Sequence, residues 1–385
     1  MEPEQQGHAD GPAPAPSLDP VPELGGTPPP ARDREGFDWI FIGPHGLRVG
    51  WSILFFYVMY YVFRIVIATI YFEIGVIGES MDDSAPYILA TETIPFLSLI
   101  ASAGLMSLIE GRRILAYNLT GPRRALRFAS GALVGFAALS ILVASITLGG
   151  WLSFDHAMLH GAEALRYAVL WGCVFLVVAS VEEGLFRCYG LFTLSQGINF
   201  WWALTAEIVV CADAFITRRG NGILGVYMIV ALGLFPSLAL ALSQKSAPGS
   251  GFWQAAWVTS SVFALYHTQN NGENWIGVFA AGAVGFILCL SVRLTGSAWW
   301  ALGFHAAWDW AETFFYGTAD SGLQGRGHLL NSTPVGNPLW SGGADGPEGS
   351  LLVIGVILLL LLFLLVVYGR GRRAAPPLPD PRALL

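Results

Sequence analysis

The chain has 385 residues, of which 54% are hydrophobic and 12% charged, with a net charge of −7 and one lysine, Lys245, among its 20 basic residues. So small a charged share, about half that of ordinary globular domains, excludes a water-soluble fold. The acidic balance, with no basic patch, excludes a nucleic-acid partner. The four cysteines, Cys173, Cys188, Cys211 and Cys289, lie singly in apolar runs without CxxC spacing, which argues against a disulfide framework and against a zinc knuckle.

Residues 1–36 hold nine of the 22 prolines, and such a tract is expected to be a disordered tail. It has neither the basic start nor the early apolar run of a secretory signal. Beyond it, windows of about 20 apolar residues, the length that crosses a bilayer core about 30 Å thick, fall at 49–72, 86–109, 128–149, 167–194, 199–217, 222–243, 253–268, 274–293, 297–316 and 350–368. The expected fold is all-α: a polytopic bundle of about ten transmembrane helices. Arg112, Arg113, Arg123, Arg124 and Arg127 follow the second window and Arg370, Arg372 and Arg373 follow the last, whereas Glu73, Glu79, Asp82 and Asp83 lie between the first two. The positive-inside rule then puts both termini in the cytoplasm, with Arg218 and Arg219 as the one violation.

Charged side chains at a helix centre cost roughly 2.5–3.5 kcal/mol each on insertion into lipid. The fourth window nevertheless carries VASVEEGLFRCYG, with Glu182, Glu183 and Arg187 in one apolar helix. Glu183 and Arg187, four apart with the acid first, suit a helical ion pair, for which a purely structural role is an equal reading. Glu182 diverges from them by about 100° and is free to act elsewhere. Downstream, FALYH sets Phe263 and His267 at i, i+4, and GFHAAWDW does the same for His305 and Asp309. At 1.5 Å per residue, Glu182, His267 and Asp309 lie roughly 18–21 Å from the cytoplasmic ends of their windows, and His305 roughly 12 Å.

EExxxR, FxxxH and HxxxD, in that order on successive membrane segments, resemble the CAAX protease and bacteriocin-processing (CPBP) family of intramembrane proteases, which includes the type II CAAX prenyl endopeptidases. The resemblance spans about 167–316, and RRILAYNL at 112–119 is similar to a segment that often precedes the family's first motif. Two departures stand out. The stretch 199–243 between the first and second motifs is long enough for an extra helical hairpin, and Asp309 stands where Asn is commoner. The organisation that follows is a 1–36 tail, a three-span N-terminal region at 37–150, a catalytic membrane core at 160–318, a flexible loop at 319–349, and a last helix with its basic flank at 350–373.

The resemblance implies a membrane-embedded endopeptidase acting on a membrane-associated protein or peptide. Glu182 and His267 would activate water, Glu183 and Arg187 would orient the first motif, and His305 with Asp309 would stabilise the oxyanion. An ionised Asp cannot donate to an oxyanion, so Asp309 is protonated, orients His305 as a cation, or ligates a metal. No cofactor is favoured, although Glu182, His267, His305 and Asp309 are an acceptable set for zinc. The chain has no HExxH, GxSG, GxGD or Walker A sequence. The competing readings are a bacteriocin-immunity or scaffold membrane protein and a proton- or cation-coupled transporter, although no internal repeat is evident. Preference for Arg over Lys suggests a GC-rich genome and a bacterial cytoplasmic membrane.

Overall fold

Each apolar window is helical in the computed structural model, which describes residues 38–43, 46–78, 83–217, 222–243, 250–270 and 272–369. The Pro-rich tail, Glu79, Asp82, Arg218, Arg219, Lys245 and the basic flank at 370–373 lie outside the described residues. A short α1 (Asp38–Phe41) and the two-residue strands β1 (Ile42–Gly43) and β2 (Gly46–Leu47) lead into the helices α2 (Val49–Glu73), α3 (Ala85–Ile109) and α4 (Arg124–Leu148). A strand β3 (Leu152–Phe154) precedes α5 (Gly161–Glu183), which passes through a π-helical turn at Gly184–Gly190 into α6 (Leu191–Ser195). Then come α7 (Phe200–Thr217), α8 (Gly222–Ser243), α9 (Ser250–His267), α10 (Trp275–Thr295) and α11 (Trp299–Trp310), which widens into a second π-helical turn at Ala311–Tyr316. Strand β4 (Ser332–Pro334), antiparallel to β3, and α12 (Pro338–Ser341) lie in the connection to α13 (Val353–Val367).

Seven of these elements, α2, α3, α4, α5–α6, α7, α8 and α10, are long and apolar enough to cross a membrane. Their outward residues are large and apolar, among them Ile65, Leu133, Phe215 and Leu242, as expected where the solvent is lipid. The chain is an integral membrane protein. The windows at 253–268, 297–316 and 350–368 also fold as helices but fall short of that standard. α9 carries Gln254, Thr259, Ser260 and Ser261, all buried, and the 12 residues of α11 rise only about 18 Å before the turn widens.

Two apolar clusters hold the bundle together. One joins α4, α8, α10, α11 and α13 through Leu139, Ile229, Leu288, Phe304 and Leu360. The other joins α2, α3, the turn after α5, and α9 through Phe56, Met106, Tyr189 and Ala256. α4 and α11 meet backbone to backbone: a Cβ at Gly131, Gly135 or Gly303 would run into the carbonyl of Trp300, Phe304 or Phe128 respectively. GALVG in α4 is therefore a small-residue seam of the GxxxG kind, and it fixes the helix that carries His305 and Asp309.

The connection between α11 and α13 is tied down by side chains. Asn274 caps α10 by accepting from the amides of Ile276 (2.7 Å) and Gly277 (3.3 Å). Its own amide N–H donates to Asp345 Oδ2 (3.0 Å), and its Nδ2 to the Gly349 carbonyl (3.2 Å). Asp345 is fully buried, and burial, opposed by the Asn274 amide and reinforced by Glu348, pushes its carboxyl up to about 8. The folded chain thus keeps a proton that an unfolded one loses near pH 4. The resulting stability is complete below that pH, declines as pH rises towards about 8, and is then gone. Asp345→Asn retains an acceptor for the Asn274 amide, so the fall in Tm between pH 5 and 9 should be smaller in the variant. An equal fall in both proteins would count against this account.

Candidate active site

The first motif is shaped by the wide turn that follows it. α5 ends at Glu183, and the next seven residues, including Arg187, are wound as a π-helix, a form concentrated at functional sites. Asn118, in left-handed backbone (φ 56°), donates from Nδ2 to the Arg187 carbonyl at 2.7 Å. The same segment receives the Ala298 amide on the Asn118 carbonyl (2.8 Å) and the Trp299 indole on the Leu119 carbonyl (3.0 Å). RRILAYNL is therefore a clasp that joins the turn after α5 to the start of α11.

Arg187 Nη1 donates to Glu183 Oε1 at 3.1 Å, with both side chains almost wholly buried. Its guanidinium lies over the Phe263 ring, 4.4 Å from the centroid, a cation–π contact inside an apolar surround. Glu183 Oε1 also accepts from His305 Nδ1 at 2.9 Å, so one oxygen links Arg187 to the third motif. The other ring nitrogen, His305 Nε2, lies 3.4 Å from Asp309 Oδ2 and 3.6 Å from Glu182 Oε2. Glu182 is thus not free of the pair beside it, because the His305 ring reaches both adjacent carboxylates. His267 donates from Nδ1 to the Phe263 carbonyl at 2.9 Å, which leaves Nε2 unspent.

Glu182, Phe263, His267, His305 and Asp309 line one cavity of about 150 Å³, shared with Asn270, Trp308, Asp320, Ser321 and Glu348. That space is well above the roughly 10–15 Å³ one water needs. Glu183 and Arg187 stand behind it and hold His305. A larger cleft of about 1140 Å³, lined by Arg48, Trp51, Glu110, Arg112 and Trp202 among others, contains none of the motif residues.

Three carboxylates escaped the sequence reading. Glu312, three residues past Asp309, is fully buried in the second wide turn. Asp320 and Glu348 come from opposite ends of the connection between α11 and α13, and ligand atoms of these three residues lie within 4.8 Å of one another. Glu348 accepts from the Trp308 indole (2.6 Å) and from Ser321 Oγ (3.3 Å). Burial, followed by the nearby Asp309 and Glu348, holds the Asp320 carboxyl well above the usual range. Glu312 could have been noticed as an acid in an apolar helix, but no local spacing signals Asp320 or Glu348.

No curated protein and no solved structure matches the chain. Residues 237–311 match the model of a family described as type II CAAX prenyl endopeptidase Rce1-like. The matched stretch contains the second and third motifs, His267, His305 and Asp309, whereas Glu182, Glu183 and Arg187 lie upstream of it. Over residues 237–311 the chain is thus similar to the Rce1-like type II CAAX prenyl endopeptidase family, and Glu182, His267, His305 and Asp309 are gathered on one cavity.

Proposed function

We propose that the protein is an intramembrane endopeptidase that hydrolyses a peptide bond of a membrane-associated protein or peptide by carboxylate-activated water. The observation that carries this reading is the meeting of Glu182, His267, His305 and Asp309 on one cavity with room for water. Glu182 takes a proton from water as the oxygen attacks the scissile carbonyl carbon, with His267 Nε2 holding that water. His305, faced by carboxylates at both ring nitrogens, acts as the cationic donor to the oxyanion. Asp309 steadies that cation, the role left open for an acid at this position. Collapse of the tetrahedral carbon breaks the C–N bond, and the proton on Glu182 passes to the leaving amine. Glu183 and Arg187 are positioning residues that fix the His305 ring. In this reading 160–318 is the catalytic core, with 199–243 an inserted helical pair, in a ten-span chain whose termini face the cytoplasm of a bacterial cell.

One observation favours a second reading. Both imidazoles spend Nδ1 on a protein acceptor and line the same cavity, and an Nδ1 so engaged is the arrangement of zinc-ligating histidines. Glu182, His267, His305 and Asp309 would hold the ion once drawn together, since no three of them bring ligand atoms within 4.8 Å of one another in this structure, and the bound ion would supply Lewis-acid polarisation of the carbonyl. The test is cleavage of farnesylated and unprenylated tail peptides in proteoliposomes, with and without 1,10-phenanthroline. Asp309→Asn replaces an anion with a neutral amide donor. In the carboxylate mechanism it should keep at least about a tenth of the parent rate, a loss within the range of one hydrogen bond, and the chelator should have no effect. Chelator-sensitive cleavage, with a loss in the Asp309→Asn variant that added zinc partly restores, selects the second reading. Absence of cleavage of either peptide class and of any co-reconstituted membrane protein would reject both.

A further inference from the structure

We propose that Glu312, Asp320 and Glu348 form a binding site for a divalent, oxygen-preferring cation of the calcium class, made of residues other than the hydrolytic ones but bordering the cavity they line. The ligand atoms of the three carboxylates lie within 4.8 Å of one another, and they are the one such group of His, Cys, Asp or Glu found among the described residues. Two oxygens on one ion can be no farther apart than twice the metal–oxygen distance. That limit is about 4.6–5.2 Å for calcium, so oxygens that lie within 4.8 Å of one another can share one calcium ion.

Proximity of acids alone would not point to a ligand, but Glu312 does. Its side chain is fully buried, and neither carboxylate oxygen has a hydrogen-bond partner. It nevertheless turns an oxygen towards the other two carboxylates. Gly346, in backbone open to glycine (φ 108°), closes over it, and a Cβ there would crowd Glu312 Oε1 at 3.3 Å. A buried, unpartnered carboxylate is costly unless a counter-charge meets it. The ion pairs among the described residues involve none of the three.

The neighbours steady the other two ligands without using them up. Trp308 and Ser321 donate to Glu348 (2.6 and 3.3 Å), and Thr313 Oγ1 donates to Asp320 Oδ2 (3.3 Å). An ionised carboxylate has about four lone-pair sites, so each keeps capacity for an ion. A donor set of carboxylates with no imidazole or thiolate selects a hard cation over zinc or copper. Bound there, the ion would pin both ends of the connection between α11 and α13 to the wide turn that follows Asp309.

The experiment is calcium titration of detergent-solubilised full-length protein purified in EGTA, read by calorimetry and by Tm, and carried out on Glu182→Gln so that binding is scored apart from proteolysis. The expected result is one calcium per chain with Kd between about 10 µM and 1 mM, weaker binding of magnesium, and a Tm rise of roughly 5 °C at a hundredfold excess over Kd. Added Glu312→Gln, which keeps the shape and removes the buried charge, should weaken calcium binding at least tenfold, and Asp320→Asn should do the same independently. No saturable binding up to 10 mM calcium would overturn the proposal and leave the acids as a proton-sharing cluster. Binding of equal strength in the parent and in both variants would overturn it too, by placing the ion elsewhere.

Discussion

Glu182→Gln should reduce peptide cleavage by about 10²–10⁴-fold, the usual contribution of a positioned general base, while leaving Tm within a degree or two of the parent. The amide keeps the size and the hydrogen-bonding reach of the carboxylate but cannot take a proton from water. The side chain is 19% exposed and lines the cavity, so the fold does not depend on its charge. His305 retains Glu183 at 2.9 Å and Asp309 at 3.4 Å in the variant. Single-turnover cleavage and thermal unfolding on the same preparation provide the check. More than about a tenth of parent activity in a well-folded Glu182→Gln protein would remove Glu182 from the role of base.

Arg187→Ala should act through the fold, costing about 3–5 kcal/mol, the range for deleting one partner of a buried pair. It leaves Glu183, 0% exposed, with His305 as its one remaining charged partner. It also empties the space against Phe263 and Gly285. Folded yield and Tm should both fall. Arg187→Met combined with Glu183→Gln should recover much of that stability, because uncharged side chains of similar volume relieve a buried pair. Activity should stay low in the double variant, since the carboxylate that orients His305 Nδ1 is gone. Recovery of cleavage along with stability would reduce the pair to a structural brace.

The order of the motifs, the helical class and the Glu183–Arg187 pair are all legible in the sequence, because each depends on spacing within one helix. The links between helices are not. Glu182 looks free because adjacent side chains diverge, but a single imidazole with two nitrogens spans that divergence from another helix. Asn118 looks ordinary in the sequence and becomes a partner only where a π-helical turn brings the Arg187 carbonyl to it. The Gly131–Gly135 spacing is plain in the sequence, but its meaning depends on Gly303 across the contact. Ten windows against seven long apolar helices reflects the polar side chains of α9, the early widening of α11 and the 15-residue length of α13. The Gly- and Pro-rich 319–349 stretch, expected as a loop, contains a strand paired with β3 and a carboxylate that anchors the cap of α10. Composition reports what such a stretch lacks as a helix, and says nothing of the partners it finds.

The wide turns after Glu183 and after Trp310 make chain length itself a functional variable. A π-helical turn accommodates one residue more than the α ladder around it. Deleting any one residue from 184–190 would let the helix close into regular winding, and no backbone hydrogen bond need be lost. Removal of one of residues 184–186 would leave the helix beyond the turn close to its register but would set Arg187 three residues from Glu183 instead of four. Substitution and deletion at the same position should therefore differ in kind. An apolar replacement of Leu185 or Phe186 alters packing by degrees, whereas removal of either residue yields a sound helix in which the Glu183–Arg187 spacing has changed.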